Sequence, residues 1–118
     1  MGTKSYRDLD VWKKARAAAI ETNKISWMLP KEEQYELGCQ MRDAASSVPS
    51  NIAEGQARGT AKEFANFLKI ARGSNAELQT QLILCVDYAY VSEESIAKAM
   101  ELSEDVGKML NKLIRAIE

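Results

Sequence analysis

Apolar residues recur along this chain at alternating steps of three and four positions, the spacing that lines one face of an α-helix. Four stretches show this pattern, and short segments with helix-stopping or capping residues separate them. The pattern predicts helices over about residues 8–29, 32–57, 60–90 and 92–117. Four helices joined by short turns predict an all-α protein with a single domain over residues 1–118, folded as an antiparallel up-down-up-down four-helix bundle.

Residues at the predicted helix boundaries have recognisable local roles. Asp8 is a favourable N-cap for the first helix, and Pro30 ends that helix because the residue before a proline resists the helical region. Thr60 and Glu63 have the spacing of a capping box at the start of the third helix. Ser92 is the predicted N-cap of the fourth helix.

The segment SSVPSNIAEG, residues 46–55, combines a helical pattern with small and polar side chains. A proline inside a helix removes a backbone hydrogen bond and costs about 3 kcal/mol, so the packing must tolerate a kink at Pro49. The small face predicts close approach of a neighbouring helix, and Gly73-Ser74 in the third helix is the predicted packing partner. The predicted structural motif consists of Pro49, Asn51, Glu54, Gly55, Gly73 and Ser74.

Asn51 and Glu54 allow two interpretations. They lie three positions apart on one helix face, and Arg58 follows Glu54 by four, which predicts a Glu54–Arg58 ion pair. One interpretation is a polar patch that binds a partner. The other is a hydrogen-bonded structural cluster that braces the Pro49 kink against the Gly73-Ser74-Asn75 segment. The second is favoured because buried polar groups must be paired.

The composition excludes the common kinds of catalytic and metal site. None of the 118 residues is a histidine, which removes the usual general base and metal ligand. Cys39 and Cys85 lack the spacing of a zinc site, and no phosphate-binding glycine motif occurs. We therefore predict no enzyme activity, no catalytic or metal-binding residue and no cofactor. Reduced cysteines, with no signal peptide or membrane-length apolar run, predict a cytoplasmic protein without membrane contact.

Charge and exposed apolar surface bear on the partners. The net charge of −1 gives no overall attraction to nucleic acids, so such binding needs a local basic patch. Arg58, Lys62, Lys69 and Arg72 follow one line into and along the third helix and are candidate phosphate contacts, although a solvated charged face explains them too. Surplus aromatic residues near the first two helices and the wide apolar face of the third predict self-association.

Two motifs point to a known family. The SSVPSNIAEG segment is followed by FANFLKIARGSNAEL at residues 64–78, and DLDVW stands at residues 8–12. With these motifs the chain resembles, over nearly its whole length, the four-helix bundle proteins encoded in intervening sequences of bacterial 23S ribosomal RNA genes, often labelled S23 ribosomal proteins. That family is similar to the accessory variability determinant of diversity-generating retroelements.

The resemblance implies a homopentameric ring of bundles. In the retroelement relatives the ring is basic and associates with a reverse transcriptase and its RNA, whereas the ribosomal label reflects gene location. The sequence departs from the family at Arg42-Asp43, where two basic residues are common. This departure and the net charge of −1 count against RNA binding, and Arg42 stays, with Arg58, Lys69 and Arg72, among the candidate nucleic-acid contacts to be tested.

Two functions remain open at this stage. The first is a non-enzymatic oligomeric scaffold that binds RNA or a nucleoprotein partner such as a reverse transcriptase. The second is a protein–protein interaction module without a nucleic-acid role, which predicts no salt-dependent RNA binding. A small-molecule enzyme is a third hypothesis, and it would need a pocket lined by carboxylates.

Overall fold

The computed structural model describes residues 5–118, which form four long helices, two short helical turns and no strand. The described chain is a rod of 49 × 22 × 20 Å. A 3₁₀ turn at Tyr6–Asp8 comes first. The α-helices in chain order are α1 Asp10–Ser26, α2 Lys31–Gln34, α3 Leu37–Ala57, α4 Ala61–Asp87 and α5 Glu93–Ile117. The predicted all-α four-helix bundle is confirmed, with α2 as a single extra turn.

Each long helix packs against two others, in the order α1, α3, α4, α5 around the bundle. We call the end that holds residue 5, the α3–α4 connection and the C-terminus the terminal end. The opposite end, with the α1–α3 and α4–α5 connections, is the distal end. The apolar core forms one cluster toward each end, the terminal one around Val48, Ile52, Leu68 and Leu110 and the distal one around Met41, Leu78, Leu82 and Cys85.

A buried polar pair joins α4 to α5. The side-chain amide of Asn75 donates to the Ser103 carbonyl at 2.9 Å, and Ser103 Oγ donates to Asn75 Oδ1 at 2.8 Å. Gln79 also donates to Ser103 Oγ, at 3.1 Å. Both members of the pair are buried, so their mutual bonds satisfy groups that would otherwise be costly to bury.

The first helix starts later than the predicted residue 8. Asp8 belongs to the 3₁₀ turn, which Ser5 caps by accepting a hydrogen bond from the Arg7 amide. The extended backbone of Leu9 then separates this turn from α1, and no side chain caps the helix. The α1 helix ends at Ser26, before the predicted residue 29, because the chain turns at Trp27 to pack against α3. At the start of the chain, Ser5 is therefore the cap in place of the predicted Asp8, and it caps the 3₁₀ turn rather than α1.

The second predicted helix, 32–57, is broken at residues 35–36. Glu36 has φ −105° and ψ −92°, which is not helical, and it divides α2 from α3. The Gln34 side chain donates to the carbonyls of Trp27 and Leu29, at 3.0 and 3.1 Å. These bonds satisfy carbonyls near the end of α1. They hold α2 against that end, so α2 and α3 are separate helices.

The other two caps follow the prediction. Thr60 accepts a hydrogen bond from the Glu63 amide and donates to the Glu63 carboxylate, and Ser92 accepts from the Ser95 amide. However, α4 ends at Asp87 rather than near residue 90. A Schellman turn stops it, in which the Tyr90 amide donates to the Cys85 carbonyl at 2.9 Å. The sequence concealed this stop because alanine, at Ala89, occupies the left-handed position that is usually glycine.

The predicted role of Gly73 as a packing notch is wrong. A Cβ added at Gly73 would meet nothing within 4 Å, because this position faces outward from α4. Close approach of α3 to α4 occurs at Gly55 instead, where an added Cβ would lie 2.6 Å from Phe67 Cβ. Pro49 lies within α3 and lines a surface groove between α1 and α3, so its ring does not disturb the core.

Candidate functional site

Charge is strongly divided between the two ends of the bundle. Dividing each long helix at its midpoint, with Asp105 in the middle of α5 counted in the distal half, gives a terminal half with 11 Lys and Arg against 5 Asp and Glu, a net charge of +6. The distal half has 4 Lys and Arg against 12 Asp and Glu, a net charge of −8. The small overall charge therefore conceals a local basic surface of the kind that nucleic-acid binding requires.

Part of this basic surface is a groove between α4 and α5. It has a volume of about 430 Å³, and Lys69, Arg72 and Arg115 line it together with Asn111 and Glu118. Lys69 Nζ lies 2.5 Å from a Glu118 carboxylate oxygen, and Arg72 donates to Asn111 Oδ1 at 3.1 Å. We call these five residues the basic groove. Three cations against one carboxylate give it a net positive charge.

The basic groove is open to solvent along the side of the bundle, and its cations come from two helices. A phosphate that entered it would therefore meet positive charge from both sides.

The other predicted contacts in the terminal half differ in availability. Arg58 donates to Glu54 at 2.8 Å, has Glu63 at 4.0 Å and lies 5.0 Å from the centre of the Phe67 ring. The hydrogen bond to Glu54 raises the pKa of Arg58, so the predicted Glu54–Arg58 pair is present. The Lys62 side chain is exposed and makes no ion pair or hydrogen bond with any residue that the structure describes. Lys62 is therefore the more available of the two cations.

Arg42 lies apart from the other four predicted contacts, toward the distal end. Its guanidinium donates to Ser26 Oγ at 2.9 Å and to the Gln34 carbonyl at 3.1 Å. It also stacks over the Trp27 ring at 4.0 Å. These contacts hold the α1–α3 connection together, and they engage the guanidinium within the chain.

The helix α5 also contributes to the basic surface, and none of the predicted contacts lies on it. Lys108, Lys112 and Arg115 follow one another at steps of four and three, so they lie along one side of this helix. That spacing was visible in the sequence. The prediction for this helix rests on its apolar line alone, which these cations do not share.

The residues around Pro49 form a hydrogen-bonded chain between α3 and α4. The side-chain amide of Asn51 donates to the Ser47 carbonyl at 2.8 Å and to Ser47 Oγ at 2.9 Å. Ser47 Oγ in turn lies 2.8 Å from Ser74 Oγ. Asn51 and Ser74 therefore brace the turn that contains Pro49, whereas Glu54 is directed to Arg58 instead.

Two unlike apolar surfaces lie on different sides of the bundle. A groove of about 720 Å³ between α1 and α3 is lined by Trp12, Ile20, Pro49 and other residues. On α4, Ile70 and Gly73 are exposed three positions apart on one outward side, and Ile83 is exposed further along the helix. We call these surfaces the α1–α3 groove and the α4 face.

Nothing in residues 5–118 resembles a metal centre or an activated thiol. No group of three or more potential ligand side chains occurs among these residues. Burial raises the pKa of the Cys85 thiol to about 11. Cys39 is exposed, and both cysteines are free thiols. None of the helices in this range is both long and apolar enough to cross a membrane.

Comparison with known families decides the classification. A profile of the family described as 23S rRNA-intervening sequence protein matches residues 7–112. The chain belongs to this family. A search of curated proteins gave no significant match.

A solved structure supports the fold of this chain. It is the crystal structure, at 1.70 Å resolution, of a protein of unknown function from the S23 ribosomal protein family of Bacteroides thetaiotaomicron VPI-5482. The two chains are 22% identical, the match covers 88% of this chain and 97% of the other, and the TM-score is 0.81. At this identity the likeness establishes the shared fold.

Proposed function

We propose that this protein is a non-enzymatic, oligomeric helical-bundle scaffold that binds RNA, or a nucleoprotein such as a reverse transcriptase with its RNA, through its terminal half. The observation that carries the proposal is the separation of charge, +6 in the terminal half against −8 in the distal half. We infer a cytoplasmic location because Cys39 and Cys85 are free thiols.

The physical basis is the release of counterions. Each phosphate that a Lys or Arg neutralises releases condensed cations, so affinity falls with salt by a slope of about −0.7 per contact for single strands. Lys62 and the cations of the basic groove, Lys69, Arg72 and Arg115, offer such contacts. Because they lie on the sides of α4 and α5, an extended strand rather than a compact ligand fits their arrangement.

Self-association would increase this binding. The α1–α3 groove and the α4 face are different surfaces of one chain, so a contact between them joins unlike patches and generates a closed ring when the rotation closes. The number of five subunits comes from the family resemblance alone. Repeating the terminal half around a ring would turn several weak phosphate contacts into one strong interaction.

RNA binding is tested with two double variants of equal charge change. Lys62→Gln and Lys69→Gln remove two cations from the terminal half, and Lys31→Gln and Lys98→Gln remove two from the distal half. Fluorescence anisotropy with a labelled single-stranded RNA should show a roughly tenfold or greater loss of affinity for the first variant at about 50 mM salt, and a shallower salt dependence. The second variant should stay within about twofold. Equal losses, or no RNA binding by the parent chain, would reject the proposal.

Self-association is tested at Gly73. Because Gly73 has open space around it, Gly73→Arg leaves the bundle intact while it places a long charged side chain on the α4 face. We expect light scattering to show smaller particles for this variant, and unchanged particles for the control Ala97→Arg on the exposed side of α5. A parent chain that is monomeric at micromolar concentration would refute the oligomer.

The alternative is a protein–protein interaction module without a nucleic-acid role. The observation that favours it is the exposure of large apolar side chains such as Ile20, Ile70 and Ile83. Affinity capture with and without nuclease treatment separates the two functions. Partners that survive nuclease, in a chain that fails to bind RNA at low salt, would favour the alternative.

A further inference from the structure

The distal end exposes an aromatic surface that the proposed RNA contacts do not use. Four large apolar side chains are exposed there: Trp27 by 46%, Met28 by 53%, Tyr35 by 69% and Tyr88 by 54%. They account for most of the seven exposed large hydrophobic side chains in the described part of the chain. We call these four residues the distal aromatic patch.

Two separate connections contribute to this patch. Trp27, Met28 and Tyr35 belong to the α1–α3 connection, and Tyr88 belongs to the α4–α5 connection. The Trp27 and Tyr35 rings pack edge to face with their centres 6.0 Å apart. Tyr90 lies beside Glu33, where burial and then the Glu33 carboxylate raise the pKa of the Tyr90 hydroxyl. The two connections are therefore neighbours at one end of the bundle.

The patch has an acidic rim. Residues 27–36 and 87–95 contain one lysine, Lys31, and the six carboxylates of Glu32, Glu33, Glu36, Asp87, Glu93 and Glu94. Among residues 5–118, none of these carboxylates is within ion-pair distance of a Lys or Arg. The nearby Arg42 is already engaged with Ser26 and Gln34. The rim therefore carries unpaired negative charge beside aromatic rings.

Local structural preference explains only part of this rim. Glu32, Glu33, Glu93 and Glu94 lie in first helical turns, where the positive end of the helix dipole favours them. Asp87, in contrast, is the last residue of α4, where the dipole disfavours a carboxylate. Ala89 adopts φ +62°, a conformation that suits glycine. Two unfavourable residues thus flank the exposed Tyr88, which is typical of a functional segment.

We propose that the distal aromatic patch and its acidic rim bind a basic segment of a partner polypeptide. Lys and Arg side chains of that segment would lie over the exposed rings and pair with the rim carboxylates. Arg42 over Trp27, at 4.0 Å, shows the same cation–aromatic geometry within the chain. This inference does not depend on RNA binding by the terminal half.

Charge and shape argue against other occupants. A nucleic acid would be repelled by the net charge of −8 in the distal half. The terminal end of a second copy is a poor fit, because its cations spread along the sides of α4 and α5 and Arg58 is paired with Glu54. A head-to-tail contact between copies would also continue into an open filament.

The test uses a fluorescein-labelled synthetic peptide in which arginine alternates with leucine and serine. Glu36→Gln with Asp87→Asn removes two rim charges, and Glu101→Gln with Glu104→Gln removes two charges elsewhere in the distal half. Tyr35→Ala with Tyr88→Ala removes aromatic surface without a change of charge. We expect the rim and aromatic variants each to raise the Kd at least about fivefold, and the control to stay within about twofold.

Asp87→Asn adds a second readout. It should raise the melting temperature, because it removes a carboxylate from the negative end of a helix, while it weakens peptide binding. A purely structural residue would not separate the two effects. Equal weakening by the control pair, unchanged affinity of the tyrosine variant, RNA binding at this end, or head-to-tail growth of the chain alone in sedimentation velocity would each overturn the proposal.

Discussion

Replacing Gly55 by alanine tests the packing of α3 on α4. The new Cβ would lie 2.6 Å from Phe67 Cβ and 3.2 Å from Phe64 Cδ1. Phe67 Cβ is fixed to the backbone of α4, so the two helices must separate, and overpacking of this kind costs about 1–3 kcal/mol. Since the 2.6 Å contact is with an atom fixed to the backbone, the cost lies in the upper part of that range, about 2–3 kcal/mol. Alanine returns about 1 kcal/mol through its higher helix propensity. We therefore expect Gly55→Ala to lower the free energy of unfolding by about 1–2 kcal/mol in total.

Gly73→Ala is the matched control, since it makes the same chemical change within a helix. Its Cβ would meet nothing within 4 Å, so only the propensity gain of about 0.5–1 kcal/mol remains. Urea unfolding followed by circular dichroism should move the two midpoints in opposite directions with equal m-values. Shifts of the same sign and size in both variants would refute the assignment of Gly55 as the close-contact glycine.

Three further predictions concern the interior and the distal end. Asn75→Ala breaks the bonds with Ser103 and should destabilise the chain by about 2 kcal/mol in urea unfolding. Ala89→Gly relieves the left-handed backbone and should stabilise it by about 1 kcal/mol, seen as a higher melting temperature. Cys39 should react quickly with a thiol reagent at pH 8, whereas Cys85, which has a pKa of about 11 and is buried, should react only after unfolding.

Periodicity was sufficient to predict the bundle because each long helix buries one regular apolar face. Local capping was predictable where the capping residue acts on its own helix, as at Thr60 and Ser92. The prediction of Asp8 as a cap was wrong, because Ser5 caps a separate 3₁₀ turn that contains Asp8. The predicted helix over residues 32–57 is interrupted at Glu36, because Gln34 forms hydrogen bonds with the end of α1. Such tertiary contacts are not visible in a local pattern.

The division of charge was accessible from the sequence in principle. An up-down bundle places the start of one helix beside the end of the next, so charges can be counted by half helix once that topology is predicted. The net charge of −1 concealed the division because the two halves nearly cancel. The role of Arg42 was not accessible in this way, since its contact with Trp27 depends on the turn of the α1–α3 connection.

The two glycines show the same limit. Gly55 and Gly73 are both helical, and both occur beside small or polar residues. Only the rotation of α4 about its axis decides that Gly73 faces outward while Phe67 contacts Gly55. A sequence pattern assigns a face to a helix, but it does not assign the neighbour at each position on that face.

The central claim, that RNA binds the terminal half, is tested most directly by mapping the contact on the chain. A ¹⁵N-labelled chain is titrated with single-stranded RNA at low salt, and the shifts of the backbone amide signals are followed by residue. We predict shifts concentrated around Lys62, Lys69, Arg72 and Arg115, with residues 27–36 unaffected. Shifts confined to residues 27–36, or no shifts in α4 and α5, would contradict the account.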